Sequence, residues 1–510
     1  MRPIVPLALA LAFLPGHARA ASIQQPETAP TESAGYHFLV ARHLEDAGRI
    51  DEAIAELQKA LELEPRSAEI RAELATVYAR QNRAVEAIDT AEAALKYDPD
   101  NREANRLLGS IYSALADQKR PIRAGDDPAQ YGAKAIAALE RARRPDLADL
   151  GLDFTLGRLY LREGQNEKAI EALQRVFTQQ PEYSEGGVLL AAAQEAAGEP
   201  DAAIGTLEET IKHNPAFFRA YVPLIDLYER QQRWKDAAGA YALAAAVNPR
   251  ANLTEGRAAA LLNSGAPEEA QSLLQDALTK ATKPEASLLY LMAESQRQLK
   301  QYAAAEATVT QLRTAFPDDV RGVLMEAQLQ LAQGKRSEAV ATFADLVKRF
   351  PNQPTLAYQY AQLLDEADRH DEAEQVLRDL LAKNPLDAVA LNSLGYMFAE
   401  RGERLDEAVQ LLQRALKVEP GNPSYLDSLG WAYFKQGNLA SADAPLTEAA
   451  AKMPENSVIQ DHLGDLRFRQ ERFADAIVCW ERALKGDGES IDRAVIERKL
   501  RDARSRVAKR

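Results

Sequence analysis

The stretch LGWAYFKQGNLASADAPLTEAAAKMP, from Leu429 to Pro454, decides how this chain reads. Leu429, Gly430 and Tyr433 are spaced to share one face of a first helix. Gly437 can take the left-handed conformation that ends it. Ala442, Leu446 and Ala449 mark the apolar stripe of a second helix, and Pro454 stops that helix because the residue before a proline is steered away from helical geometry. Small residues at Gly430 and Ala442 let two backbones approach closely, while Leu429 and Tyr433 fill the space left between them. The stretch is a helix-turn-helix unit, and its apolar stripes need a neighbour on either side.

Worn copies of it run from end to end. Prolines stand at Pro65, Pro99, Pro181, Pro215, Pro249, Pro317, Pro351, Pro385, Pro420 and Pro454, at gaps of 34 residues or a multiple, apart from one insertion and one single-residue slip. Ala53, Ala87, Ala169, Ala203, Ala237, Ala305, Ala339, Ala373, Ala408, Ala442 and Ala476 keep the same time. Gly48, Gly164, Gly198, Gly265 and Gly334 occupy the turn position of Gly437. Two residue types do not share one period by chance, and the pattern predicts about thirteen units between Ala34 and Ser490. With 510 residues rich in Ala, Leu, Glu and Arg, the expected fold is all-α, an α-solenoid whose core grows along a line, closed by a C-terminal capping helix.

The segments LGSIY (Leu108–Tyr112), LGRLY (Leu156–Tyr160), LGYMF (Leu394–Phe398) and LGWAY (Leu429–Tyr433), each followed by a turn, an alanine and usually a proline, resemble tetratricopeptide repeats. The resemblance covers nearly the whole chain after residue 33. It implies antiparallel helix pairs stacked in a right-handed superhelix whose concave wall is built from first helices, and a function in binding proteins or peptides. As a pointer to one partner it is weak, since this scaffold serves many.

Three units depart from the pattern. Around Asn101 to Asp149 a first helix near Glu103–Leu115 and a second near Ala133–Arg143 flank an insertion at about 116–132, where Pro121, Gly125 and Pro128 argue against helix; it reads as a surface loop or as a loop that touches a partner. The unit Asn252–Glu285 has its proline one place late, at Pro284. GERLDEA (Gly402–Ala408) carries one extra residue in its turn.

The ends differ from the array. Arg2, the apolar run Ile4–Leu14 and the small-x-small site Ala18-Arg19-Ala20 read as an export signal over residues 1–20, cleaved after Ala20, so the expected location is periplasmic or secreted. Removing Arg2 and Arg19 would take the net charge from −14 to −16. Residues 21–33 form a polar linker. Residues 491–510 hold eight basic and three acidic side chains, with Ile491, Val495 and Leu500 near one helical face; this suits a basic capping helix over the last repeat. The lone Cys479 sits among apolar neighbours and reads as a buried structural thiol.

No chemistry is legible in the chain. The six histidines form no metal-binding pair, and there is no nucleophile elbow, phosphate loop or dinucleotide fingerprint, so neither cofactor nor metal is expected. Nor do the repeats leave room for a catalytic domain. Acidic character disfavours nucleic acid, whose phosphates demand a basic track.

A partner would lie along first-helix positions spaced three and four apart. One row of these reads Tyr358, Asn392, Asp427 and Asp461. A second reads Gln362, Tyr396, Trp431 and Asp465, and a third includes Asp365, Phe434 and Phe468. Rings flanked by amides and carboxylates suit an extended segment gripped through stacking and backbone hydrogen bonds, and the carboxylates favour a basic or amino-bearing one. The competing reading has Trp431 and Phe434 packing against the adjacent first helix. The expected function is a non-enzymatic adaptor or scaffold, similar to exported bacterial repeat proteins that serve envelope proteases, secretion or polysaccharide export, with peripheral envelope association left open. The alternative is an enzyme using the carboxylates Asp427, Asp461 and Asp465.

Overall fold

The computed structural model describes residues 33–144, 148–283, 285–488 and 491–509; the expected leader, nearly all of the expected linker and Pro284 lie outside them. Twenty-seven α-helices and two short 3-10 turns make up the described residues, which contain no strand. The chain divides into two compact units, one ending at Leu227 and the other beginning at Tyr228.

In the first unit, consecutive helices pack as hairpins: Ala34–Asp46 on Ile50–Leu63, Ala68–Arg80 on Ala84–Leu95, Leu150–Arg162 on Asn166–Gln179, and Ser184–Ala196 on Pro200–His213. One apolar cluster runs from Ala68 to Ala193, so the core extends along the series of hairpins and does not close on itself. The second unit follows the same plan, for example Pro354–Glu366 on His370–Lys383, Ala388–Arg401 on Leu405–Val418, Pro423–Lys435 on Leu439–Lys452 and Ser457–Arg469 on Phe473–Lys485. There a cluster spans Val323 to Ala432.

Local chemistry explains the hairpins. First helices open on side chains that cap free N–H groups: Ser33, Ser67, Asn101, Asp149, Asp387, Asn422 and Asn456 each accept a backbone hydrogen bond from the first turn. The turn then closes in a left-handed residue. Gly437 has φ +78°, its N–H bonding Phe434 O at 2.9 Å and the next N–H bonding Tyr433 O at 2.9 Å. Every one of the eleven periodic alanines from Ala53 to Ala476 has 0% exposure, because a larger side chain there would push the paired helices apart. Gly430 works from the opposite helix: a Cβ on it would lie 2.5 Å from Leu446 Cγ, and Gly109, Gly157 and Gly395 meet Leu139, Leu173 and Leu412 in the same way. The close approach at Gly430 is thus filled by a leucine across the hairpin. Pro445, inside the helix Leu439–Lys452, removes one ladder donor without ending the helix, which stops at Lys452 before Pro454.

The irregular units differ from expectation in detail. The helix Arg102–Gln118 runs three residues past the expected Leu115, and the next begins at Tyr131, two before Ala133. Tyr131 explains the earlier start. Its ring is buried and stacks on Tyr112 at 5.7 Å, its hydroxyl accepts from Ile122 N–H at 3.1 Å and donates to Asp126 at 2.8 Å. Arg123 pairs with Asp89, so the insertion is folded back onto the preceding hairpin. The extra residue near Gly402 is absorbed by two left-handed residues, Gly402 and Arg404. Cys479 is buried, and burial pushes its thiol up from the ordinary value. No described helix is long and apolar enough to cross a membrane.

Candidate functional site

The eleven side chains singled out on first helices all fall in the second unit, and they divide into an interior group and a face. Asp427 and Trp431 are interior, at 5% and 7% exposure. Asp427 accepts from His462 Nδ1 at 2.9 Å. Trp431 stacks with Phe434, 4.9 Å away, and with His462, 4.0 Å away, and its indole N–H donates to Glu400 at 2.6 Å. Lys435 lies over the same ring at 5.0 Å and bonds the Glu400 carbonyl at 2.8 Å. The reading in which these aromatics pack against adjacent first helices is the one this geometry supports for Trp431. Burial works against the His462 proton, but the Asp427 carboxylate outweighs it, so the imidazole is held above its ordinary value.

Asp461 and Asp465 are half-buried, and Lys499 from the C-terminal helix sits between them, its Nζ 2.8 Å from a carboxylate oxygen of each. Burial pushes the Asp465 carboxyl up, against the pull of Lys499. The row of carboxylates expected to attract a basic ligand is therefore already matched inside the chain: Asp427 by His462, and Asp461 with Asp465 by Lys499. Among the described residues no group of three His, Cys, Asp or Glu is placed to hold a metal ion.

The same stitching recurs in the first unit. Arg80 pairs with Glu45 and Arg158 with Asp117 at 2.7 Å, each joining successive first helices, and Arg219, in the 3-10 turn before the next one, pairs with Glu185 at 2.8 Å. These pairs were missed on the sequence, though a signal was present. Glu45 and Arg80, and Asp427 and His462, each stand 35 residues apart.

What remains open is narrower. Tyr358 donates to Asp387 at 2.6 Å, and Gln362 to Glu366 at 3.0 Å. Phe434 is half-buried with Arg469 over its ring at 5.7 Å. Tyr396 is half-buried, its hydroxyl pushed well up by burial first and then by the negative charge of Glu400, Asp427 and Asp365, so it stays a donor. Asn392 is different. Its amide oxygen is buried and has no hydrogen-bond partner among the described residues. A buried acceptor left unmatched costs about 1–3 kcal/mol.

Comparisons with known proteins agree with the repeat pattern. Tetratricopeptide repeat profiles match residues 44–111 and 330–394, and a second such profile matches 154–205, 188–252 and 399–457. A coatomer epsilon subunit profile matches residues 224–323. A TPR repeat-containing protein of Pseudomonas aeruginosa is 42% identical over 64 residues; the match covers 12% of this chain and 61% of that protein, so the chain spans less than two thirds of this relative's length. Among solved structures, a tetratricopeptide repeat protein from Parabacteroides merdae is 17% identical with TM-score 0.41, covering 49% of this chain and 97% of its own. Yeast Tom70 is 15% identical with TM-score 0.39, covering 93% and 96%.

Proposed function

The chain belongs to the tetratricopeptide repeat family, and from that premise we propose that it is a non-enzymatic scaffold holding an extended segment of a partner protein against the first-helix face around Asn392 and Tyr396. Tetratricopeptide folds typically mediate protein–protein interaction. Asn392 carries the reading for this face, because turning its half-buried amide outward relieves the unmatched oxygen and presents it to a peptide N–H. Tyr396 offers a donor to a peptide carbonyl one helical turn along, and Gln362 and Phe434 flank the pair.

The amino-terminal pattern supports export across a bacterial inner membrane, cleavage after Ala20 and work in the envelope, in protease adaptation, secretion or polysaccharide export. Catalysis by Asp427, Asp461 and Asp465 has no support in the geometry, since each carboxylate is held by His462 or Lys499.

The test is affinity capture of envelope proteins by the mature chain, followed by titration of the captured partner against Asn392→Ala and Tyr396→Phe. A loss of tenfold or more with unchanged helix content supports the face. Undiminished binding by both variants rejects it, and an amino terminus other than Ala21 on protein recovered from the periplasm rejects the processing step.

A further inference from the structure

The helix Arg493–Ala508 is held unlike any helix it touches. Of its sixteen residues, three are buried, Ile496, Leu500 and Ala503, which pack on Ala476, Trp480 and Ala483. The thirteen-residue helix Ser457–Arg469 in the same region buries eight. With so few apolar anchors, its polar contacts carry much of its attachment.

Those contacts form a socket with two seats for cations. Lys499 Nζ lies 2.8 Å from both Asp461 and Asp465, and 5.9 Å from the centre of the Trp480 ring. Seven residues on, the Arg506 guanidinium lies 5.1 Å from the Phe468 ring and 5.6 Å from Phe473. Spacing of seven places both cations on one side of the helix, the side that carries Ile496, Leu500 and Ala503. Arg504 adds an ion pair to Glu481 at 2.7 Å. A basic segment thus sits on acidic and aromatic groups in a chain whose net charge is −14.

We propose that this helix is a detachable strap, and that the socket formed by Asp461, Asp465, Phe468, Phe473 and Trp480 is a docking site for a basic amphipathic helix of a partner protein, with lysine and arginine seven residues apart, which displaces the strap. The strap competes from within the same molecule, where its effective concentration is in the millimolar range, so the socket is closed until a partner of higher intrinsic affinity arrives. The proposal rests on the reading that first-helix surfaces bind protein segments. Its probe is the chain's own helix, so it can fail while the Asn392 face stands.

The experiment titrates a fluorescent peptide of residues 491–509 into the full chain and into Leu500→Asp, which loosens the strap's apolar anchor. Binding at least tenfold tighter to Leu500→Asp is expected, with loss of that binding when Asp461→Asn and Asp465→Asn are added. Should Leu500→Asp lower the helix content of the whole chain, Lys499→Ala with Arg506→Ala replaces it. Equal affinity for natural and loosened chains, no binding to either, or binding that survives the two aspartate changes would each overturn the proposal.

Discussion

The imidazole of His462 lies flat on the indole of Trp431, ring centroids 4.0 Å apart and planes within 13°, while its Nδ1 donates to the buried Asp427 carboxylate at 2.9 Å. Burial opposes the imidazolium, and Asp427, with Asp461 and Glu400 behind it, holds the proton on, so the folded value lies above the ordinary 6.5. An unfolded imidazole gives up its proton near 6.5, whereas the folded one keeps it. Above that value the folded state therefore binds more protons, and stability falls as pH rises. The pair's contribution is whole below pH 6.5 and is lost as pH passes through the raised value. Thermal melts between pH 6 and 9 should show a falling Tm for the natural chain and a flatter profile for His462→Gln with Asp427→Asn. Equal slopes would trace the decline to other groups.

Gly430 and Leu446 give a second prediction. A methyl on Gly430 would sit 2.5 Å from Leu446 Cγ, which is fully buried and has little room to withdraw. Overpacking of this kind costs about 1–3 kcal/mol. Gly430→Ala should lower the denaturant midpoint accordingly. The double variant Gly430→Ala with Leu446→Ala should lose less than the sum of the two singles, because the cavity left by one accepts the methyl of the other. Strict additivity in the cycle would show that the clash is relieved elsewhere.

The repeat was legible because one residue type is forced at each tight place. The periodic alanines are forced by helix contact, and Gly437 by a left-handed turn. Legibility fades where another residue meets the same demand. Asn82, Gln232, Lys300, Asp368 and Glu471 hold positive φ at the turn position without being glycine, so only the period locates them. The early start at Tyr131 was hidden because its cause is a ring stacked on Tyr112 and a hydroxyl tied to the loop. On the candidate face, the first-helix rows were readable from spacing, but burial was not. Nothing local to Asp427 says that His462, a full unit away, neutralises it.

Lys300 makes the turn argument measurable. It is exposed, has φ +59°, and an L residue in the left-handed region costs about 1–2 kcal/mol. Glycine removes that strain but adds about 0.5–1 kcal/mol of chain entropy to be lost on folding. Lys300→Gly should therefore stabilise by roughly 0.5–1 kcal/mol, read as a higher denaturant midpoint at unchanged slope. A lower midpoint would mean that the lysine side chain stabilises the turn.

Trp431 and Asn392 separate structure from binding on one surface. Trp431 is clasped by Phe434 and His462 and bonded to Glu400, so Trp431→Ala should cost about 3–5 kcal/mol and lower Tm by several degrees whether or not a partner is present. Any loss of capture it causes would then report damage to the fold. Asn392 makes the opposite case. Its amide oxygen has no partner among the described residues, so Asn392→Ala removes an unmet acceptor and should leave Tm nearly unchanged or slightly raised. If the face binds an extended segment, the same substitution should weaken partner binding tenfold or more, about 1.4 kcal/mol. A variant of unchanged Tm and unchanged affinity would leave the Asn392 oxygen without a role in recognition, and a variant that melts much earlier would show that its amide holds the hairpin together.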